Sequence, residues 1–169
     1  MKSILVTIAV LVLTSAASGA ETPKSGSEAS AAFDRLKALA GQWEAQGKTG
    51  KAHLTYEVVS GGNAVFERDN NEGMPEMITV YYLDTDRVLL THYCMIGNQP
   101  RMQARRIDPQ TGELKFEFVD ATNLASPNAG HMHDAKIRLI DNDHLATTWE
   151  FYENGKPKFS ETAEFTRVH

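Results

Sequence analysis

The chain has 169 residues, a formal net charge of −5, six histidines and one cysteine. A mildly acidic chain with no clustered basic face excludes the electrostatic footprint of a nucleic-acid-binding protein. The single cysteine, Cys94, excludes an internal disulfide, so stability has to come from a hydrophobic core.

The opening stretch MKSILVTIAVLVLTSAASGA carries Lys2, an apolar run over residues 4–13 and small residues at Ser18 and Ala20. That order predicts a secretory signal peptide over residues 1–20, cleaved after Ala20 or, with Ser15 and Ala17 as the small pair, after Ala17. The apolar run is too short for a transmembrane helix, and no later segment is apolar enough to span a bilayer. The expectation is an exported protein, periplasmic or extracellular, with no membrane span after cleavage. Residues 21–27 read as a polar, flexible tether. Residues 28–169 are enough for one domain with a core.

The stretch SEASAAFDRLKALAG, residues 27–41, predicts a short helix. Phe33, Leu36 and Leu39 or Ala40 fall on one face, Ser27 or Ser30 can cap the start, and Gly41 can stop the helix. From Gly41 onward the apolar period is two. GQWEAQ, KAHLTYEVV, NAVFERD, EMITVYYLD, RVLLTHYCMI, RMQARRID, ELKFEFVD, HMHDAKIRLI, HLATTWEFYE and KFSETAEFTRV all read as strands. Gly61-Gly62, Thr85-Asp86, Gly97-Asn98, residues 108–112, residues 141–143 and Asn154-Gly155 separate most of them with turn chemistry. Short loops impose antiparallel neighbours, and closure into an up-and-down barrel removes the edges of so long a meander. A β-sandwich is the competing architecture, although the chain offers few crossover-length loops. The two longer connections, NNEGMPE and DATNLASPNAG, suit loops over a barrel mouth.

Side chains alternate faces along a strand, and paired residues share a face. With Gly97-Asn98 as a two-residue turn, Cys94 pairs with Arg101 and His92 with Gln103. With residues 109–112 as a loop, Ile107 pairs with Leu114, Arg105 with Phe116 and Gln103 with Phe118. Thr85-Asp86 adds Thr79 and Tyr81 to the same wall. This register places Tyr81, His92, Cys94, Gln103, Arg105 and Phe116 inside, an apolar wall with a basic and imidazole cluster suited to a carboxylate. One bulge within residues 101–107 reverses it: Arg101, Gln103 and Arg105 then face solvent, while Tyr93, Met95, Met102 and Ala104 point inward. Both registers make sensible walls.

His131 and His133 stand two apart, the spacing of a chelating pair; zinc or copper needs a third ligand, for which His144 lies too far up its strand and Glu153 is the better-placed partner, but two histidines beside a loop are more often plain polar groups, so no metal is expected. A three-residue turn over 141–143 sets His133 opposite Phe151, in line with Trp149, and His131 opposite Glu153. Cys94 beside His92, or Tyr81 beside His92, would serve a small hydrolase or isomerase. The sequence does not supply the nucleophile, base and oxyanion donors together, so no catalytic residue is assigned. Glu67 and Glu161 can also point inward. A three-residue loop over 154–156 turns Glu161 toward the interior as a counter-charge for Arg105.

Gly41-Gln42-Trp43 follows the helix and opens the first strand, and Thr166-Arg167-Val168 closes the last. The pattern resembles the calycin barrels: lipocalins, fatty-acid-binding proteins and the haem-binding nitrobindins. In that group a Gly-x-Trp opens the barrel and an arginine of the last strand approaches the tryptophan, which implies that Trp43 and Arg167 close one end. The resemblance implies an internal ligand cavity, and it raises haem as an alternative cofactor, with His133, His92 or His144 as the iron ligand. The resulting expectation is non-covalent binding of a small amphipathic molecule, an acidic head being one option. Tyr81, His92, Cys94, Gln103, Arg105, Phe116, His133 and Trp149 are the expected ligand-binding residues. No protein partner can be read from the chain.

Overall fold

The computed structural model describes residues 27–47 and 50–169. The expected signal peptide and the tether before Ser27 lie outside the described residues.

Helix α1 (Glu28–Lys37) is capped by Ser27, whose Oγ accepts from the Ser30 amide at 3.1 Å. Of the two serines proposed for that role, the one whose side chain reaches an otherwise orphaned N–H is therefore Ser27. Ten strands follow: β1 (Gly41–Gln46), β2 (Lys51–Val59), β3 (Ala64–Asn71), β4 (Met77–Asp84), β5 (Arg87–Tyr93), β6 (Gln99–Ala104), β7 (Glu113–Thr122), β8 (His131–Leu139), β9 (His144–Glu153) and β10 (Lys156–Val168). Each pairs antiparallel with its neighbours in the chain, and β10 returns to β1, giving a closed up-and-down barrel rather than a sandwich.

One end is sealed. Helix α1 packs on β2, β4 and β5, while Arg35 reaches the Leu139 carbonyl at the end of β8, so the helix crosses from wall to wall. Its buried Ala32, Phe33 and Leu36 join Leu39, Trp43, Val88, Leu139, Leu145 and Phe165 in one core. Trp43 Nε1 donates to the Leu39 carbonyl at 2.8 Å. The Arg167 guanidinium lies 4.1 Å from the centre of the Trp43 ring and donates to the carbonyls of Ala38, Ala40 and Asn142. Gly41, at φ 129°, sits where a Cβ would stand 2.8 Å from Arg167 Nη1, so the close approach of that guanidinium requires glycine.

The other end is splayed in two places. β1 pairs with β10 only at Gln42–Glu44 against Thr166–Val168, so among the described residues β10 before Thr166 is paired on one side alone. β7 and β8 pair from Glu113 to Phe116 against Ala135 to Arg138 and then part.

Candidate functional site

The interior is read from register. Thr85-Asp86 forms the two-residue turn, with Thr85 at φ 57°, and Thr79 pairs with His92 and Tyr81 with Leu90. The next hairpin differs from the expectation. Cys94 pairs with Asn98 through Cys94 N–H to Asn98 O at 3.1 Å, leaving a three-residue loop in which Gly97 takes the left-handed position at φ 91°. Leu90 therefore pairs with Met102, and Leu89 rather than His92 pairs with Gln103. Met102 and Ala104 point inward, fully buried. The inward placement expected of Gln103 and Arg105 is thereby corrected. Gln103 accepts from Arg87 Nη1 at 2.9 Å on the outer face, and Arg105 pairs with Asp86 at 2.6 Å, both side chains more than half exposed. Arg101 likewise faces outward, ion-paired with Asp120. An irregularity at Arg105-Arg106 restores the Ile107–Leu114 bridge, so the expected loop register holds on its far side.

A second correction concerns His133. The β8–β9 register slips between Met132 and Asp134, so Met132, not His133, is opposite Phe151, and Tyr152, not Glu153, is opposite His131. His133 stacks on Tyr152 and Phe118, at 3.9 and 4.6 Å between ring centres, where β7 and β8 part. His131 Nδ1 lies 2.8 Å from the Ala129 carbonyl and its Nε2 lies 3.0 Å from His133 Nδ1. A carbonyl only accepts, so His131 donates there and His133 donates to His131; both nitrogens of His131 are used. Among the described residues no group of three or more His, Cys, Asp or Glu side chains gathers around a metal position.

His92, Tyr81, Phe116 and Trp149 do come together inside. The Tyr81 and Phe116 rings approach to 5.8 Å and those of His92 and Trp149 to 4.9 Å. β5 and β9 are on opposite walls, so the second contact spans the lumen. Above it, Phe151 stacks on Phe159 at 4.9 Å on the wall beside the open seam. Glu161 pairs with Trp149 and shares its inward parity, yet it is exposed, which places an opening in the wall at that level.

One lateral row of this interior was only half visible in the sequence. Tyr56, Glu67, Thr79 and His92 are successive cross-strand partners on β2, β3, β4 and β5. Glu67 is 4% exposed and accepts from the Tyr81 hydroxyl at 2.6 Å. Burial raises its carboxyl to about 7 despite the Tyr81 hydrogen bond that favours its charged form. Asp69, one inward step along β3, is raised to about 6, first by burial and then by the charge of Glu161. His92 is 3% exposed and is lowered to about 4 by burial, so its imidazole is neutral at ordinary pH. Its Nδ1 lies 3.0 Å from Thr79 Oγ1, whereas its Nε2, like Tyr56 Oη, is buried with no hydrogen-bond partner. The signal for this row was the inward alternation Val65, Glu67, Asp69; it was masked by Phe66, which lies outside under the Arg68 guanidinium.

Cys94 is buried and its thiol is pushed up by burial, the opposite of an activated nucleophile. The Tyr81 hydroxyl donates its hydrogen bond to Glu67, not to His92.

No family model matches the chain, and a search of curated proteins returns no match. Among solved structures, the chain is similar to the crystal structure of Rv2717c from M. tuberculosis, with a TM-score of 0.57 and 14% sequence identity over 82% of this chain and 98% of that one. At that identity the likeness shows the barrel fold and nothing finer.

Proposed function

We propose that this protein is an exported, calycin-like binding protein that takes a small amphipathic molecule through the splayed end of its barrel. The observation that carries the reading is the pair of buried, unpartnered polar atoms, His92 Nε2 and Tyr56 Oη, in a row of hydrogen-bonding side chains inside the barrel. A buried polar group without a partner costs roughly 1–3 kcal/mol, a cost removed when a ligand supplies the bond. The stacked Phe151 and Phe159 offer an apolar surface beside the opening. Trp149, Tyr81 and Phe116 supply the wall beneath, Cys94 is packing at the base of a hairpin, and His133 borders the β7–β8 seam.

A haem does not fit this arrangement. Among the described residues His92 is the one histidine in the lumen row, and its ring meets Trp149 across the lumen at 4.9 Å, which leaves no room between those walls for a macrocycle. A hydrolase or isomerase finds no support either, since neither Cys94 nor Tyr81 is hydrogen-bonded to His92.

Native mass spectrometry of the protein purified from its own cells tests the reading. Added mass is expected on the wild-type chain and is expected to be lost in His92→Phe. Bound mass undiminished in both His92→Phe and Trp149→Ala would sink the reading, as would a bare chain from every preparation.

A further inference from the structure

Among the described residues, the inward charges toward the splayed end are all acidic. Glu67, Asp69 and Glu161 share the inward parity of Val65, Leu54 and Trp149. Basic side chains on β3, β5, β6 and the turn after β6 point the other way and are already paired: Arg68 with Glu76, Arg87 with Asp84, Arg101 with Asp120 and Arg105 with Asp86. Arg167, the inward basic residue at the sealed end, is bonded to three carbonyls. The acidic head that the sequence reading allowed would therefore enter among carboxyl groups with no cation to meet it.

Proton positions in the row point the same way. Thr79 Oγ1 lies 3.0 Å from His92 Nδ1, and the neutral imidazole carries one proton. With that proton on Nδ1 and Thr79 accepting, Nε2 is a lone pair. That lone pair belongs to a side chain 3% exposed and has no partner in the protein. In that tautomer it accepts a hydrogen bond, and a donor such as an ammonium satisfies it.

We infer that the ligand is an amine: its ammonium end enters between Asp69 and Glu161, donates toward His92 Nε2, and its apolar part lies along Phe151 and Phe159. This rests on the binding reading above and sharpens it from an amphipathic molecule of unspecified charge to a cationic one. Asp69 and Glu161 are the counter-charges because they stand nearest the opening, where a hydrated ammonium need not be stripped of all its water. Glu67, deeper and held by Tyr81, keeps the row in place.

Three probes with the same tail and different heads test it: octylamine, octanol and octanoate, each titrated calorimetrically into the wild type and into Asp69→Asn/Glu161→Gln. The expected order in the wild type is octylamine tightest, octanol weaker and octanoate weakest. The double variant is expected to lose about tenfold or more for octylamine while octanol is unchanged, a control that also reports an intact barrel. Octanoate binding as tightly as octylamine overturns the amine assignment and leaves the binding reading standing. Equal octylamine affinity in wild type and double variant also overturns it. Binding of none of the three removes the reading and the amine together.

Discussion

The two ends of this barrel use the same strands for opposite purposes. At the sealed end, the core is apolar and aromatic, the helix lies across it, and the inward cation Arg167 is bonded to three carbonyls and stacked on Trp43. At the splayed end, the inward positions carry carboxyls, an imidazole nitrogen with no partner, and a stacked phenylalanine pair. The sealed end spends its polar groups on closing the fold. The splayed end leaves polar groups unspent, and those are what a ligand can meet. In the proposed reading, a ten-strand closed sheet separates stability and binding along its axis instead of between domains.

The contrast can be broken by mutation. Trp43→Ala removes a fully buried indole from the sealed end and is expected to cost about 3–5 kcal/mol in urea unfolding. If the protein tolerates it with less than about 1 kcal/mol, the sealed end is not where stability resides. The next effect concerns the polar row. Glu67 is raised to about 7 and Asp69 to about 6 from ordinary values of 4.5 and 3.8. A carboxyl raised by folding contributes its full stability below its ordinary value and loses it as the pH climbs through the raised one. His92, lowered from 6.5 to about 4, works the other way and weakens the fold as the pH falls through that interval. Two carboxyls against one imidazole give a melting temperature that falls from about pH 5 to about pH 8. Glu67→Gln is expected to flatten that fall, a difference on the order of 3 kcal/mol at the alkaline end. An unchanged slope would mean that Glu67 is solvated.

How much of this contrast was legible beforehand depends on the turns. Thr85-Asp86 is a short polar pair that fits only one hairpin geometry, and the Thr79, Tyr81 and His92 placements followed from it. Gly97-Asn98 resembles the same signal, but Gly97 is the last residue of a longer loop, and one residue of difference turned Gln103 and Arg105 outward. The slips at Arg101–Met102, Met132–Asp134 and Pro157–Phe159 have no residue signature that distinguishes them from regular strand. The last of these gave Glu161 its expected inward parity by a different route: Asn154-Gly155 is a two-residue turn after all, and a bulge at Lys158 supplies the extra residue. The periodicity of two was enough for strand count and closure. Side-chain facing required each bulge to be located, and bulges arise from packing across strands.

Two smaller effects sharpen the comparison. Arg167→Ala removes a stacked guanidinium and three carbonyl contacts from the sealed end and is expected to cost about 1–2 kcal/mol, read by thermal melting, with ligand affinity unchanged. Arg105→Ala breaks an exposed ion pair with Asp86 and is expected to cost under about 1 kcal/mol and to leave binding of any probe as it was. A binding defect in Arg105→Ala would return that residue to the lumen and reverse the assigned register.

The seam between β1 and β10 has a kinetic consequence. Every other strand pair is a hairpin between chain neighbours, whereas this one joins opposite ends of the domain through three residue pairs, Trp43 with Arg167 at the centre. Local hairpins form without a large loop-closure penalty, and a contact of such high sequence separation forms late. The amides of Gln42–Glu44 and Thr166–Val168 are therefore expected to gain protection last in pulsed hydrogen exchange. The Trp43–Arg167 clasp then acts on the unfolding rate, holding shut a ring whose other joints assemble without it.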